Sequence, residues 1–209
     1  MIKFVFQGDS ITDAGRDRDN IAGYGVGYPN LVASELMFKY PGKFEFINEG
    51  ISGDRIVDLY ARIKQDLINH KPDYLSILIG VNDVWHEFGH QNGCSHEQYE
   101  RNYCMFLEEV MAALPDIKIV ILEPFLTSGA VTENFGEDFR AAVKQNAAIS
   151  RKIAKKYGLP FVPLQERFDD WEMQFGAEAL TREGVHPTIM GHSVIAKALL
   201  ETLETVITD

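Results

Sequence analysis

Residues 2–10 read IKFVFQGDS. An apolar, partly β-branched run from Ile2 to Phe6 stops at Gly8, the pattern of a short buried strand running into a polar turn. The same pattern recurs at Phe44–Ile47, Tyr74–Ile79, Ile117–Leu122 and Pro160–Val162. Helical periodicity lies between these runs. Ile56, Leu59, Ile63 and Leu67 recur at three and four residues, as do Tyr99, Tyr103, Phe106, Val110 and Leu114. Val143, Ala147 and Ile153 mark a further helix that stops near Gly158, and Val194, Ala198, Leu199 and Leu203 mark the last. Each strand reads as apolar on both faces, which requires a parallel sheet covered on both sides. Right-handed crossovers then give an α/β fold, a three-layer α/β/α sandwich around a mostly five-stranded parallel sheet.

The bulk properties agree with a globular protein. At 209 residues, one domain spanning residues 1–209 is expected. Twenty Lys and Arg against 31 Asp and Glu leave a net charge of −11, which argues against nucleic acid as a partner. No apolar run is long enough to span a membrane. The opening MIKFVFQGDS has too few apolar residues for a signal peptide. Cys94 and Cys104 are too few for a disulfide framework and read as reduced thiols, so a cytoplasmic setting is expected. A homo-oligomer is left open.

In a parallel sheet the active site lies beyond the carboxyl ends of the strands. Three such ends carry chemistry: Gly8-Asp9-Ser10, Asn48 to Gly53, and Gly80-Val81-Asn82-Asp83. Together they offer a hydroxyl, glycine amides and a side-chain amide. A base comes from TREGVHPTIMGH (181–192), in which His186 precedes Pro187 and Glu183 sits three residues before the histidine.

Four blocks in this order, GDSITDAGR (8–16), NEGISGDR (48–55), IGVNDVW (79–85) and EGVHPTIMGH (183–192), resemble the SGNH hydrolases, also called the GDSL esterase/lipase family. The blocks span nearly the whole chain, and their wording is most similar to the family's intracellular acetylesterases acting on acetylated xylo-oligosaccharides. The resemblance implies a flavodoxin-like SGNH fold and serine ester hydrolysis without a cofactor. It implies Ser10 as nucleophile and His186 as the base that activates it. It implies an oxyanion hole made by the Ser10 and Gly53 backbone N–H groups and the Asn82 side chain. The family's usual Asp three residues before the histidine is here Glu183. The resemblance makes Glu183 the third catalytic residue; being one methylene longer, it must take a different rotamer or its carboxylate overshoots, and a backbone carbonyl is the alternative orienting group. Asp169 and Asp170 lie upstream, with nothing in their spacing to recommend them.

Each residue also has a plain structural use. Ser10 could cap a turn, Asn82 or Asp83 could cap the following helix, and Gly53 could simply make a turn. His70 is expected to stabilise a helix end, His192 to enter the last helix, and Trp85 to be pocket wall or core.

One motif competes. HEFGHQNGCSH (86–96) fits the metzincin zinc signature H-E-x-x-H-x-x-G-x-x-H at every fixed position. A zincin carries its first two histidines on a long helix, whereas Gly89 weakens a helix here and only Asp83 to Trp85 separate the motif from Asn82. Met105 and Met111, the candidates for a Met-turn, fall inside an amphipathic helix pattern. Residues 86–96 are therefore expected to form an inserted loop at the pocket rim, with His86, His90 and His96 as polar loop residues and no metal. The function expected is a serine ester hydrolase removing acetyl groups from a small carbohydrate. The alternatives are lipase-like or thioesterase activity on longer acyl chains, a zinc metalloprotease, and a non-catalytic carbohydrate-binding relative.

Overall fold

The computed structural model describes residues 1–207. In chain order its elements are β1 (Ile2–Gly8), α1 (Ser10–Asp13), α2 (Tyr28–Lys39), β2 (Phe44–Asn48), α3 (Ile56–Ala61), α4 (Ile63–Asp66) and a 3-10 turn (Ile68–His70). Next come β3 (Tyr74–Leu78), α5 (Val81–His90), α6 (His96–Ala113), β4 (Lys118–Leu122) and α7 (Ala130–Tyr157). The chain closes with β5 (Phe161–Val162), α8 (Gln165–Phe175), α9 (Ala177–Leu180) and α10 (Ile189–Leu203).

The five strands form one sheet in the order β2-β1-β3-β4-β5, and every pairing is parallel. Phe4 aligns with Phe46 on one side and Tyr74 on the other. Side chains alternate across the sheet, so the two faces feed two cores. Phe4, Phe6, Phe44, Phe46 and Leu122 pack with residues of α2 and α10. Val5, Ile47, Leu75, Ile77 and Ile121 pack with residues of α3 and α6 on the opposite face. Burial on both sides explains why the strands read as continuous apolar runs. The expected α/β/α architecture and all five strands are present.

Two helical readings needed correction. The 56–67 segment keeps its apolar face, with Ile56, Leu59, Ile63 and Leu67 all buried. It is nevertheless broken at Arg62 (φ −106°, ψ 9°), whose guanidinium bonds Asp54 at 2.7 Å and Asp66 at 3.0 Å. Residues 86–90, expected as the start of the 86–96 rim loop, instead belong to the helix α5, closed by Gln91 in the left-handed conformation. Helices α2 and α8 carried no usable periodicity. In α2 the exposed Met37 and Phe38 blur the buried stripe, and α8 buries only Phe168 along its length. Among the described residues, no helix is long and apolar enough to cross a membrane.

Candidate active site

The carboxyl ends of β1, β2 and β3 meet at one edge of the sheet. β1 ends in Gly8, where a Cβ would stand 2.2 Å from Thr12 Oγ1 and 2.4 Å from the Leu78 carbonyl, so only glycine fits. Asp9 caps α1 by accepting the Ile11 N–H at 3.0 Å, which places Ser10 at the first position of that helix rather than in the cap. The second loop is seated directly on the first. Asn48 donates to the carbonyls of Thr12 (2.7 Å) and Tyr24 (2.9 Å), and its oxygen accepts the Gly50 N–H (2.9 Å). The Ile51 N–H donates to the Gly8 carbonyl at 3.1 Å. Gly53 follows with φ +88°, a conformation that side chains disfavour.

The third loop is clasped to the second. The amide of Asn82 donates to the Asp54 carbonyl at 3.0 Å. The carboxylate of Asp83 accepts the Ile56 N–H at 3.2 Å and 3.3 Å. Neither residue caps α5: its N-cap is Gly80, at φ +132°. Burial pushes the Asp83 carboxyl up to about 7, against the bond from Ile56. Burial likewise pushes Asp9 up to about 7, aided by the nearby charges of Asp83 and Asp54. Among the described residues, neither the Ser10 nor the Gly53 N–H donates to a backbone or side-chain acceptor.

The histidine arrives from the segment before α10. Thr181 and Pro187 form an antiparallel bridge, and the Arg182 N–H donates to the His186 carbonyl at 2.9 Å. Gly184 turns this segment with φ +102°, its N–H held by Thr181 Oγ1 at 3.1 Å. Glu183 Oε1 accepts the His186 N–H at 3.0 Å and also contacts His186 Nδ1. The longer side chain does not overshoot: its Oε1 reaches both the backbone nitrogen and Nδ1 of His186. On the far side of the ring, His186 Nε2 is 2.8 Å from Ser10 Oγ. An ionised carboxylate only accepts, so Nδ1 carries the proton and the Nε2 lone pair accepts from the serine hydroxyl. A serine so placed can attack an acyl carbon, and the imidazole can take its proton.

A cavity of about 350 Å³ opens beside Ser10 and His186. Val26, Pro187 and Ile189 wall it, Arg182 lines it, and His192 closes it from behind. His192 Nδ1 accepts the Tyr28 N–H at 3.2 Å. Its pKa is pushed down to about 4, by burial first and then by Arg182 and His186, so it stays neutral. It lies in the first turn of α10, as expected from its place after Gly191. Trp85 is half-buried against the core, its ring centroid 5.8 Å from that of His186. His70 pairs with Glu49 at 2.9 Å. A larger cavity of about 740 Å³ between α7 and α8 contains none of these residues except by way of Asp169, which accepts from Gln165 at 2.8 Å.

The metzincin-like stretch is partly helical, yet its histidines do not converge. His86 and His90 share one face of α5 with ring centroids 6.4 Å apart. Glu87 accepts the Gly93 N–H at 3.0 Å, and His96 is bonded to Asn146 of α7 at 2.7 Å. Among the described residues, no three His, Cys, Asp or Glu side chains are grouped to hold a metal ion. Two residues of the site escaped the sequence reading: Arg182, signalled only by adjacency to Glu183, and the clasping role of Asp83.

Comparison with known proteins agrees with this geometry. The model of the GDSL-like Lipase/Acylhydrolase family matches residues 6–194. An acetylxylan esterase of Geobacillus stearothermophilus is 34% identical over 96% of this chain and 93% of its own length. The crystal structure of an acetylxylan esterase from that organism superposes with a TM-score of 0.86 at 32% identity, covering 97% of this chain and 94% of the other. An alpha/beta hydrolase enzyme from the metagenome of Lake Arreo superposes with a TM-score of 0.85 at 30% identity, covering 99% and 97%. A thioesterase 1/protease 1/lysophospholipase L1 of Escherichia coli is 26% identical over 89% of this chain and 80% of its own length.

Proposed function

The chain belongs to the GDSL-like lipase/acylhydrolase family, and we propose that it is a serine acetylesterase acting on small acetylated carbohydrates such as acetylated xylo-oligosaccharides. The observation that carries this reading is the Ser10 Oγ to His186 Nε2 contact of 2.8 Å, with Glu183 on the opposite nitrogen. In this reading His186 removes the Ser10 proton as Oγ attacks the acetyl carbonyl. The tetrahedral oxyanion is received by the N–H groups of Ser10 and Gly53 and by the Asn82 amide. Asn82 donates one of its two N–H bonds to Asp54, which fixes the amide plane and leaves the second N–H for the oxyanion. His186 then returns the proton to the departing sugar oxygen. Water, activated by the same imidazole, releases acetate from the acyl-serine. Glu183 orients the ring and stabilises the imidazolium.

The choice of acetyl and of sugar rests on the likeness, in sequence and in structure, to acetylxylan esterase of Geobacillus stearothermophilus. The reading further assigns a hydrolase unit of residues 1–209 working in the cytoplasm, supported by the unpaired thiols Cys94 and Cys104. The test is acetate release from acetylated xylo-oligosaccharides by wild type, Ser10→Ala and His186→Ala. Each substitution should lower kcat by at least about 10³-fold, because the two residues act as a unit. Undiminished turnover by purified Ser10→Ala would remove Ser10 from the mechanism.

A further inference from the structure

Arg182 stands out among the cations around the site. The arginines of the first two loops and of the α3–α4 break are all paired: Arg16 with Glu49 at 3.1 Å, Arg18 with Asp13 at 3.1 Å, Arg55 with Asp58 at 2.8 Å and Arg62 with Asp54 at 2.7 Å. The Arg182 guanidinium, by contrast, has no side-chain hydrogen bond or ion pair among the described residues, although the chain carries a net charge of −11. It lines the cavity that contains Ser10 and His186. Its backbone is held in place, since its N–H donates to the His186 carbonyl at 2.9 Å and the neighbouring Thr181 is bridged to Pro187. The same short turn therefore fixes the base and this cation relative to each other. The rest of the cavity rim is aliphatic and open to solvent, with Val26 74% and Ile189 80% exposed.

We propose that Arg182 is a specificity-determining residue that binds a carboxylate on the alcohol side of the ester, so that the preferred substrate is an O-acetylated acidic sugar. This rests on the acetylesterase reading above and narrows its substrate class. The planar guanidinium matches a carboxylate through two parallel hydrogen bonds, and an unpaired one on the cavity wall retains that capacity. One cation suits a single negative charge. A phosphate dianion would leave half of its charge unanswered. The aliphatic rim formed by Val26 and Ile189 can cover the apolar face of the sugar ring while its carboxylate reaches Arg182.

The test compares kcat/KM for two matched pairs of acetyl esters. One pair is acetylated xylobiose with and without a glucuronosyl branch; the other is phenyl acetate and meta-acetoxybenzoate. Wild type, Arg182→Gln, Arg182→Lys and Arg182→Glu are measured at low and high salt. The anionic-to-neutral ratio should fall at least about fivefold in Arg182→Gln, chiefly through KM, and further in Arg182→Glu. Arg182→Lys should restore most of it. In wild type the ratio should decline with ionic strength, because Arg182 is exposed and its charge is screened over about 8 Å at physiological salt. An unchanged ratio in Arg182→Gln together with a salt-independent wild-type ratio would overturn the proposal. So would a larger Arg182-dependent gain for a phosphorylated acetyl sugar than for the carboxylated one. The aryl pair contains no sugar. Failure on both sugars with discrimination kept on the aryl esters would count against the carbohydrate reading and not against Arg182.

Discussion

Replacing Glu183 by Gln isolates the charge of the carboxylate from its geometry. In the structure a single oxygen, Oε1, serves both the His186 backbone N–H at 3.0 Å and the ring Nδ1. A glutamine could turn either its carbonyl or its NH₂ group toward the ring. The backbone N–H can be satisfied only by an acceptor, so the carbonyl orientation is favoured. The proton then stays on Nδ1, and Nε2 remains able to accept from Ser10. What is lost is the negative charge beside the imidazolium formed in the transition state. Losing charge and tautomer together costs about 10⁴-fold in the serine-protease example. Losing charge alone should cost less, and kcat should fall roughly 10²–10³-fold, or about 2.7–4 kcal/mol of barrier. Glu183→Asp withdraws the carboxylate by one C–C bond, about 1.5 Å, so one of the two bonds must lengthen. A fall of about tenfold is expected despite Asp being the residue in the family pattern, because the turn here is built around the longer side chain. The assay is steady-state hydrolysis of p-nitrophenyl acetate from pH 5 to 10, with circular dichroism to establish folding. Glu183→Gln turning over within about threefold of wild type would refute the reasoning and leave Ser10 and His186 as a dyad.

Across acyl esters of increasing length, kcat/KM should be greatest for acetyl and fall toward decanoyl; a steady rise to decanoyl would favour the lipase-like alternative. Exhaustive EDTA or phenanthroline treatment should leave esterase activity intact, and joint replacement of His86 and His90 by Ala should keep kcat within about threefold, since neither residue reaches the cavity. Activity lost on chelation and restored by Zn²⁺ would reverse that view. The pH dependence of stability should carry the mark of Asp83. Its folded pKa of about 7 lies above its unfolded value, so its contribution is unimpaired below about pH 4 and worsens as pH rises to about 7. Neutral Asp83→Asn keeps an oxygen for the Ile56 N–H, so its Tm relative to wild type should rise between pH 5 and pH 8; a flat difference would place the folded pKa near the unfolded one.

The sheet was legible because each strand is buried on both faces and few other patterns give such short apolar runs. The site was legible for a different reason. Gly8, Ser10, Gly53, Asn82 and His186 all stand at strand ends or immediately before a helix, where a parallel sheet gathers its loops. Helices without a clean stripe were not legible: Phe38 is exposed in α2, and Trp171, Met173 and Phe175 are exposed along α8. The 86–96 stretch misled in the opposite sense. Gly89 costs a helix only about 1 kcal/mol relative to Ala, and the burial of Val81 and Val84 on the core side outweighs it. The signature thus lies partly on a helix, as a zincin would require, and fails instead because His96 is turned to Asn146.

The order of blocks along the chain also concealed how they depend on one another. Gly53 and Asn82, the proposed oxyanion donors outside the serine, belong to different loops. They are joined through atoms that no motif records, the Asp54 carbonyl and the Ile56 N–H. Asn82 and Asp83 each make one of these bonds, so two adjacent side chains fix the third loop against the second. Asp54 is itself held by Arg62, which also reaches the Gly8 carbonyl at 3.4 Å, behind Ser10. A disturbance at 54–56 would therefore misplace the oxyanion donors without touching the Ser10–His186 bond. Its kinetic sign is a fall in kcat with KM little changed, because the oxyanion donors act on charge that develops only in the transition state. Asp83 carries this clasp at a desolvation cost that grows as its buried carboxyl ionises, and the Ile56 N–H lies almost equally between its two oxygens, at 3.2 Å and 3.3 Å.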